Sequence, residues 1–246
     1  MTPRGFVKFI RSIMSLISHN LQAVLERIRA VKIQHGREGG IVTLLAVSKT
    51  FGMEAVIEAA EAGQKEFGEN YLQEALDKKQ AVQVARPDLL LKWHFIGPIQ
   101  SNKTRPIAEN FDWVHSVERE KIAQRLADQR PSHLPPLNVC LQVNVSGEAS
   151  KSGVTPEELP ALAQAVAKLP QLALRGLMAI PEPESDPARQ RAPFAALRTL
   201  LQQLNAQGLA LDTLSMGMSG DMDAAIAEGA TMVRVGTAIF GKRDYA

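Results

Sequence analysis

Eight short segments, most of them apolar almost throughout and each separated from the next by a helical pattern, constrain this chain more than any other feature. They are residues 41–47, 66–69, 91–96, 113–117, 137–145, 173–180, 213–216 and 232–235. A strand that alternates apolar and polar residues buries one face, whereas a strand apolar throughout buries both, as in a parallel sheet covered by helices. Eight strand–helix units in succession predict an α/β protein with a closed (β/α)₈ TIM barrel, in preference to an open doubly wound sheet. The 246 residues suit one such barrel, and no proline- or glycine-rich linker divides them, so residues 1–246 are expected to form a single domain.

The helical patterns have recognisable ends. Ile17, Leu21, Val24 and Ile28 form one stripe over residues 17–33, and the stripe stops at His35 and Gly36, which predicts an extra helix before the first strand. Residues 54–62 close at Gly63 and residues 221–228 at Gly229, while residues 188–204 give a longer helix. Thr155-Pro156-Glu157-Glu158 reads as a capping box, with proline at the first helical position, leading into Leu162, Ala163, Val166 and Ala167.

Composition removes several function classes. A net charge of +2 with scattered basic residues leaves no electrostatic footprint for nucleic acid. The single cysteine, Cys140, excludes an internal disulfide and a multi-cysteine metal site, and its apolar neighbours mark it as core. Arg4, Lys8 and Arg11 stand among Phe6, Val7, Phe9, Ile10 and Ile13, an apolar stretch too broken and short to span a bilayer, so no membrane partner and a cytoplasmic location are expected. Residues 1–16 are read as an extension, either a helix packing on the barrel or a stretch upstream of a start at Met14, with a basic surface helix as the alternative.

Candidate chemistry collects where the strands end. Lys49 directly follows the first strand, at the carboxyl face where barrels of this type carry their active sites, and a partly desolvated amine there can attack an aldehyde to form an imine. The loops after strands seven and eight, Ser215 to Asp221 and Arg234 to Gly241, combine glycine with hydroxyls and occupy the position where such barrels bind phosphate. Ser219, Gly236 and Thr237 are the expected phosphate contacts, although Ser219-Gly220-Asp221 taken alone also suits a helix cap. Arg234 on strand eight needs acceptors if buried, and an aromatic ring nitrogen is one it can serve without losing its proton. Asn70 and Asn144 end strands two and five on the same face; Gln100-Ser101-Asn102-Lys103 follows strand three; Met178 is read as lining or core. His94 lies inside an apolar strand without metal-ligand spacing and is expected to be a satisfied core histidine.

The runs Leu-Leu-Ala-Val-Ser-Lys-Thr at 44–50, Phe-Gly-Glu-Asn-Tyr at 67–71, His-Phe-Ile-Gly-Pro-Ile-Gln-Ser-Asn-Lys at 94–103, Leu-Ser-Met-Gly-Met-Ser at 214–219 and Val-Arg-Val-Gly-Thr-Ala-Ile-Phe-Gly at 233–241 closely resemble the pyridoxal phosphate homeostasis protein family. Five motifs in the right order span about residues 17–241. The resemblance implies the barrel of alanine racemase and pyridoxal 5'-phosphate held as a Schiff base on Lys49. It further implies a cofactor site formed by Lys49, Asn70, Met178, Ser215, Ser219, Arg234, Gly236 and Thr237, with Arg234 near the pyridine nitrogen. Phe51-Gly52 departs from the lysine and proline that many relatives carry, which concerns only the first loop.

An arginine at the pyridine nitrogen cannot keep the ring protonated, so the cofactor is expected to be a weak electron sink. Racemisation also requires a second acid/base group, which related racemases take from an additional C-terminal domain, and the chain is expected to end too soon, at Ala246, to carry one. A monomeric carrier of the cofactor, not an enzyme, is therefore the expected role, with pyridoxal-phosphate-dependent apo-enzymes as partners. The alternatives are an amino-acid racemase using Tyr71 or His94 as its second base, and an aldolase-like lysine acting on sugar phosphates.

Overall fold

A computed structural model describes residues 15–146 and 152–241; the basic N-terminal segment and the end at Ala246 lie outside them. The strands are β1 (Thr43–Val47), β2 (Glu66–Glu69), β3 (Lys92–Phe95), β4 (Trp113–Val117), β5 (Leu137–Gln142), β6 (Leu172–Met178), β7 (Thr213–Ser215) and β8 (Met232–Val235). All neighbours pair in parallel and in chain order, and β8 returns to β1 with Leu45 opposite Arg234, closing the barrel. Around it, among the described residues, run α1 (Leu16–Gln34), α2 (Met53–Glu61), α3 (Leu72–Ala85), α4 (Thr104–Asn110), α5 (Glu120–Gln129), α6 (Leu159–Val166), α7 (Pro187–Ala206), α8 (Met222–Ala227) and α9 (Thr237–Phe240).

Burial explains the alternation. Every residue of β4 and of β8 is buried, as a strand sandwiched between barrel interior and helices requires. Phe67, Phe95, Phe111 and Phe194 belong to the large core cluster that includes buried residues of both strands and helices, and Trp113, Cys140 and Met178 form a separate small one. Helix α1 buries Leu21, Val24, Ile28 and Val31, the expected stripe, and packs on α2, α8 and α9. Its Asn20 Nδ2 donates to the Ile239 carbonyl at 3.0 Å, which fastens α1 to the turn after β8.

The differences from expectation are local. Ile41 is 78 % exposed and precedes β1, so the first strand is shorter than its apolar run. Strand β5 stops at Gln142, and Val143 makes only an isolated bridge to Val154. Strand β6 ends at Met178 instead of reaching Ile180, because the next carbonyl, that of Ala179, accepts from Arg234. Thr155 Oγ1 does accept from the Glu158 amide at 3.3 Å, but residues 155–158 form a turn and α6 begins at Leu159, with Pro160 in its first turn. No helix of the described residues is long and apolar enough to cross a membrane.

Candidate functional site

Lys49 stands just beyond β1, half-buried, and the backbone on either side of it is tied down. The buried Lys78 of α3 donates from Nζ to the Ser48 carbonyl at 2.8 Å, to Glu69 Oε1 at 2.6 Å and to Glu74 Oε1 at 2.9 Å. Ser48 Oγ also donates to Glu69 Oε1, at 2.7 Å. On the other side the Thr50 amide donates to Glu74 Oε1 at 2.6 Å, and Thr50 has φ of 70°, a left-handed conformation unusual for a β-branched residue. Burial pushes the Glu69 carboxyl above its ordinary value against the opposing charge of Lys78. Sequence reasoning missed this clamp; its one signal was the i,i+4 pair of Glu74 and Lys78.

A cavity of about 270 Å³ opens at the carboxyl ends of the strands. Six of the eight expected residues line it: Lys49, Asn70, Ser219, Arg234, Gly236 and Thr237. Apolar side chains of Val47, Ile96, Ile180 and Met218, which had not been assigned to the site, complete the wall with Gly220. Met178 and Ser215 are fully buried and absent from the lining; Ser215 touches the cavity only through Arg234. Asn144, residues 100–103, Tyr71 and His94 also lie outside the lining, Tyr71 at 53 % exposure and His94 wholly buried as the expected core histidine. A groove of about 600 Å³ beside Lys79, Trp93 and Asp112 is larger, but it adjoins the beginnings of β3 and β4, away from the face where barrels place their chemistry.

Electrostatics distinguish the smaller cavity. Its charged lining residues are Lys49 and Arg234, with no carboxylate among the lining, so it suits an anion. Arg234 is 4 % exposed, and burial lowers its pKa to about 10, which leaves it cationic at neutral pH. Its Nη1 donates to the Ser215 carbonyl at 2.6 Å and to Ser215 Oγ at 2.9 Å, and Nη2 donates to the Ala179 carbonyl at 3.0 Å. The remaining guanidinium donors are uncommitted.

The two loops are brought side by side by the Arg234 amide, which donates to the Gly217 carbonyl at 2.9 Å. Gly217 has φ of 94°, and a Cβ there would lie 2.5 Å from that of Ala225, so glycine is required for the turn. The Met218 amide bonds Asp221 Oδ1 and the Asp221 amide bonds the Met218 carbonyl, leaving Ser219 and Gly220 at the tip. Thr237 opens α9, where the first amides have no intrahelical acceptor. Beyond β2, on the other side of β1, Asn70 Oδ1 is buried without a partner, an unsatisfied acceptor that calls for a ligand. An amine, a fixed guanidinium, two hydroxyls and an orphaned amide oxygen fit a small phosphorylated aldehyde with an aromatic nitrogen. No cluster of potential metal ligands occurs among the described residues.

The model of the alanine racemase N-terminal domain family matches residues 19–244. The chain is 66 % identical over 232 residues to the pyridoxal phosphate homeostasis protein of Pseudomonas aeruginosa, covering 94 % of this chain and 98 % of that one. It is 54 % identical over 233 residues to the protein of the same name from Escherichia coli, with 95 % and 99 % covered. Among solved structures, PipY of Synechococcus elongatus with PLP bound superposes with a TM-score of 0.79 at 38 % identity, over 92 % of this chain and all of that one.

Proposed function

Because this chain belongs to the pyridoxal phosphate homeostasis protein family, within the alanine racemase N-terminal domain fold, we propose that it binds pyridoxal 5'-phosphate in the cavity at Lys49 and serves in the homeostasis and carriage of that cofactor. The observation that carries this is the convergence of Lys49, Arg234 and the Ser219 and Thr237 hydroxyls on one cavity free of carboxylates. The chemistry the cofactor would supply there is that of an aldehyde, and Lys49 would be the residue that holds it covalently through its amine. The residues of the chain do the rest. Ser219, Gly236 and Thr237 would hold the phosphate, and glycine at 236 is also what lets β8 end against the Val47 carbonyl, which a Cβ would meet at 3.0 Å. Asn70 meets the ring substituents, while Met178 and Ser215 support the floor from beneath. Arg234 donates to the pyridine nitrogen and, remaining protonated, leaves that nitrogen without a proton of its own, which favours holding the cofactor over activating substrates on it.

Neither residue considered as a second base lines the cavity, which supports a carrier over a racemase. We extend the proposal to a monomer acting in the cytoplasm that supplies pyridoxal-phosphate-dependent apo-enzymes. Purified protein should absorb as a protonated imine, lose that band on borohydride reduction, and yield one reduced adduct on Lys49; Lys49→Ala should remove both. An adduct elsewhere, or a colourless protein after incubation with the cofactor, overturns the proposal and reopens the sugar-phosphate alternative.

A further inference from the structure

A chain of buried polar groups runs through the barrel interior from Arg234 to the opposite mouth. Arg234 Nη1 meets Ser215 Oγ at 2.9 Å, Ser215 Oγ meets His115 Nδ1 at 2.8 Å, His115 Nε2 meets His94 Nδ1 at 2.9 Å, and His94 Nε2 meets Glu66 Oε2 at 2.6 Å. Both histidines and Ser215 have no exposed surface, whereas the Glu66 side chain is 19 % exposed and pairs with Lys92 at 3.2 Å. None of these groups lines the cavity except Arg234.

The Glu66 carboxylate only accepts, so His94 donates to it from Nε2. Burial lowers His94 against the pull of Glu66, and burial, His94 and Arg234 together hold His115 well below its ordinary value, so both rings are neutral at neutral pH. A neutral His94 then accepts at Nδ1 from His115 Nε2–H, and His115 in turn accepts at Nδ1 from the Ser215 hydroxyl, whose oxygen accepts from Arg234. Asp112 and Lys92 also act on His94, with opposite signs, and Trp113 stacks on its ring.

We propose that Glu66, His94, His115 and Ser215 form a one-way hydrogen-bond relay that positions Arg234 at the floor of the cavity without neutralising its charge. A carboxylate in direct contact would hold the guanidinium equally well but would cancel much of its field. The relay instead ends on Glu66, a carboxylate at the far end of the barrel that Lys92 already pairs, and transmits only orientation; the carboxylate whose charge acts on Arg234 is Asp221, which makes no direct bond to it. Its effect on the cofactor rests on the function proposed above, but its existence does not.

Nitrogen-15 NMR of the histidine rings in cofactor-free protein tests it directly. At neutral pH both His94 and His115 should be Nε2–H tautomers; an Nδ1–H tautomer or an imidazolium at either position overturns the relay. In Glu66→Gln, whose amide can donate as well as accept, both rings should lose their single tautomer, and Glu66→Asp should restore it. Ser215→Ala should weaken pyridoxal phosphate binding about tenfold, the effect of one lost bond to a charged group, and shift the cofactor's absorption band. Unchanged affinity and spectrum in Ser215→Ala would reduce the four residues to core filling. Because the tautomers are read without cofactor, failure of the relay and failure of the cofactor assignment are distinguishable.

Discussion

Lys78 Nζ donates to the carbonyl of Ser48, the residue immediately before Lys49, from a helix 30 positions further along the chain. The same ammonium holds Glu69 and Glu74, and Glu74 in turn holds the amide of Thr50, so a nearly buried ion cluster fixes the backbone on both sides of the amine. Lys78, not Lys49 itself, therefore sets where the first loop sits.

Lys78→Met should destabilise the fold by about 3–5 kcal/mol, since removing one partner strands a buried carboxylate. Adding Glu69→Gln should recover part of the loss, because glutamine needs no counter-charge and still accepts from Ser48. Urea midpoints of wild type and the two variants decide this. Lys78→Met no less stable than wild type would mean that the pair is not buried as described. Cofactor affinity should fall in both variants, as the Ser48 carbonyl loses the Lys78 ammonium and keeps only the Phe51 amide.

Gly217→Ala places a methyl group against Ala225 and forces a positive φ on alanine. A cost of about 1–3 kcal/mol is expected, together with weaker cofactor binding, because Gly217 supports the turn that presents Ser219. Gly220→Ala is the control. Its Cβ would meet nothing within 4 Å and its φ is not in the left-handed region, so stability should change little. Equal effects in the two variants would count against the turn geometry.

The parts of this architecture legible from sequence are those dictated by local pattern. Strands β2, β4 and β8 were expected at their observed bounds because short segments built around buried Phe67, around Trp113, Val114 and Val117, and around Met232, Val233 and Val235 alternate with helical patterns, even though each also carries a charged or polar residue. The loops after β7 and β8 were legible as walls of one cavity because tight turns that pack closely need glycine at fixed places. Lys78 and Glu69 were not, since a lysine on a helix and a glutamate at a strand end read as solvated charges until the fold brings them together. Likewise His94 was recognisable as satisfied, but its partner His115 comes from the next strand, 21 residues away, and Ser215 from 100 residues beyond that. Pairings of that kind depend on barrel closure and register, which periodicity does not report.

Stability should fall on the acid side through the two buried histidines. Their folded values lie below the ordinary 6.5, so between the folded and unfolded values the unfolded chain binds more protons, and stability rises with pH across that window. It is fully present above about 6.5 and is lost as pH drops below it, by up to about 1.4 kcal/mol per pH unit for each histidine. Glu66, whose bonds and charges from His94 and Lys92 outweigh the effect of burial and depress its carboxyl, adds loss in the same direction at lower pH. Urea unfolding between pH 7.5 and 5 measures the slope, and His115→Phe should reduce it by the contribution of one histidine whatever its effect on absolute stability. An unaltered slope in that variant would show that His115 is not neutral in the folded protein.

The phosphate assignment is most sharply tested by comparing the cofactor with its dephosphorylated form. Pyridoxal retains the aldehyde and the pyridine nitrogen, so it keeps whatever Lys49 and Arg234 contribute and loses only what the loops after β7 and β8 provide. Wild-type protein should therefore bind pyridoxal phosphate far more tightly than pyridoxal. Ser219→Ala with Thr237→Ala removes two hydroxyl donors but leaves the backbone amides and both cationic side chains in place. Each hydrogen bond to a charged phosphate is worth about 1.5–3 kcal/mol, so affinity for pyridoxal phosphate should drop by about 10²–10⁴-fold, while affinity for pyridoxal stays within a factor of a few. The double variant consequently discriminates poorly between the two aldehydes. Equal losses for both ligands would locate the defect in the fold of the cavity, and no loss for either would place the phosphate away from Ser219 and Thr237.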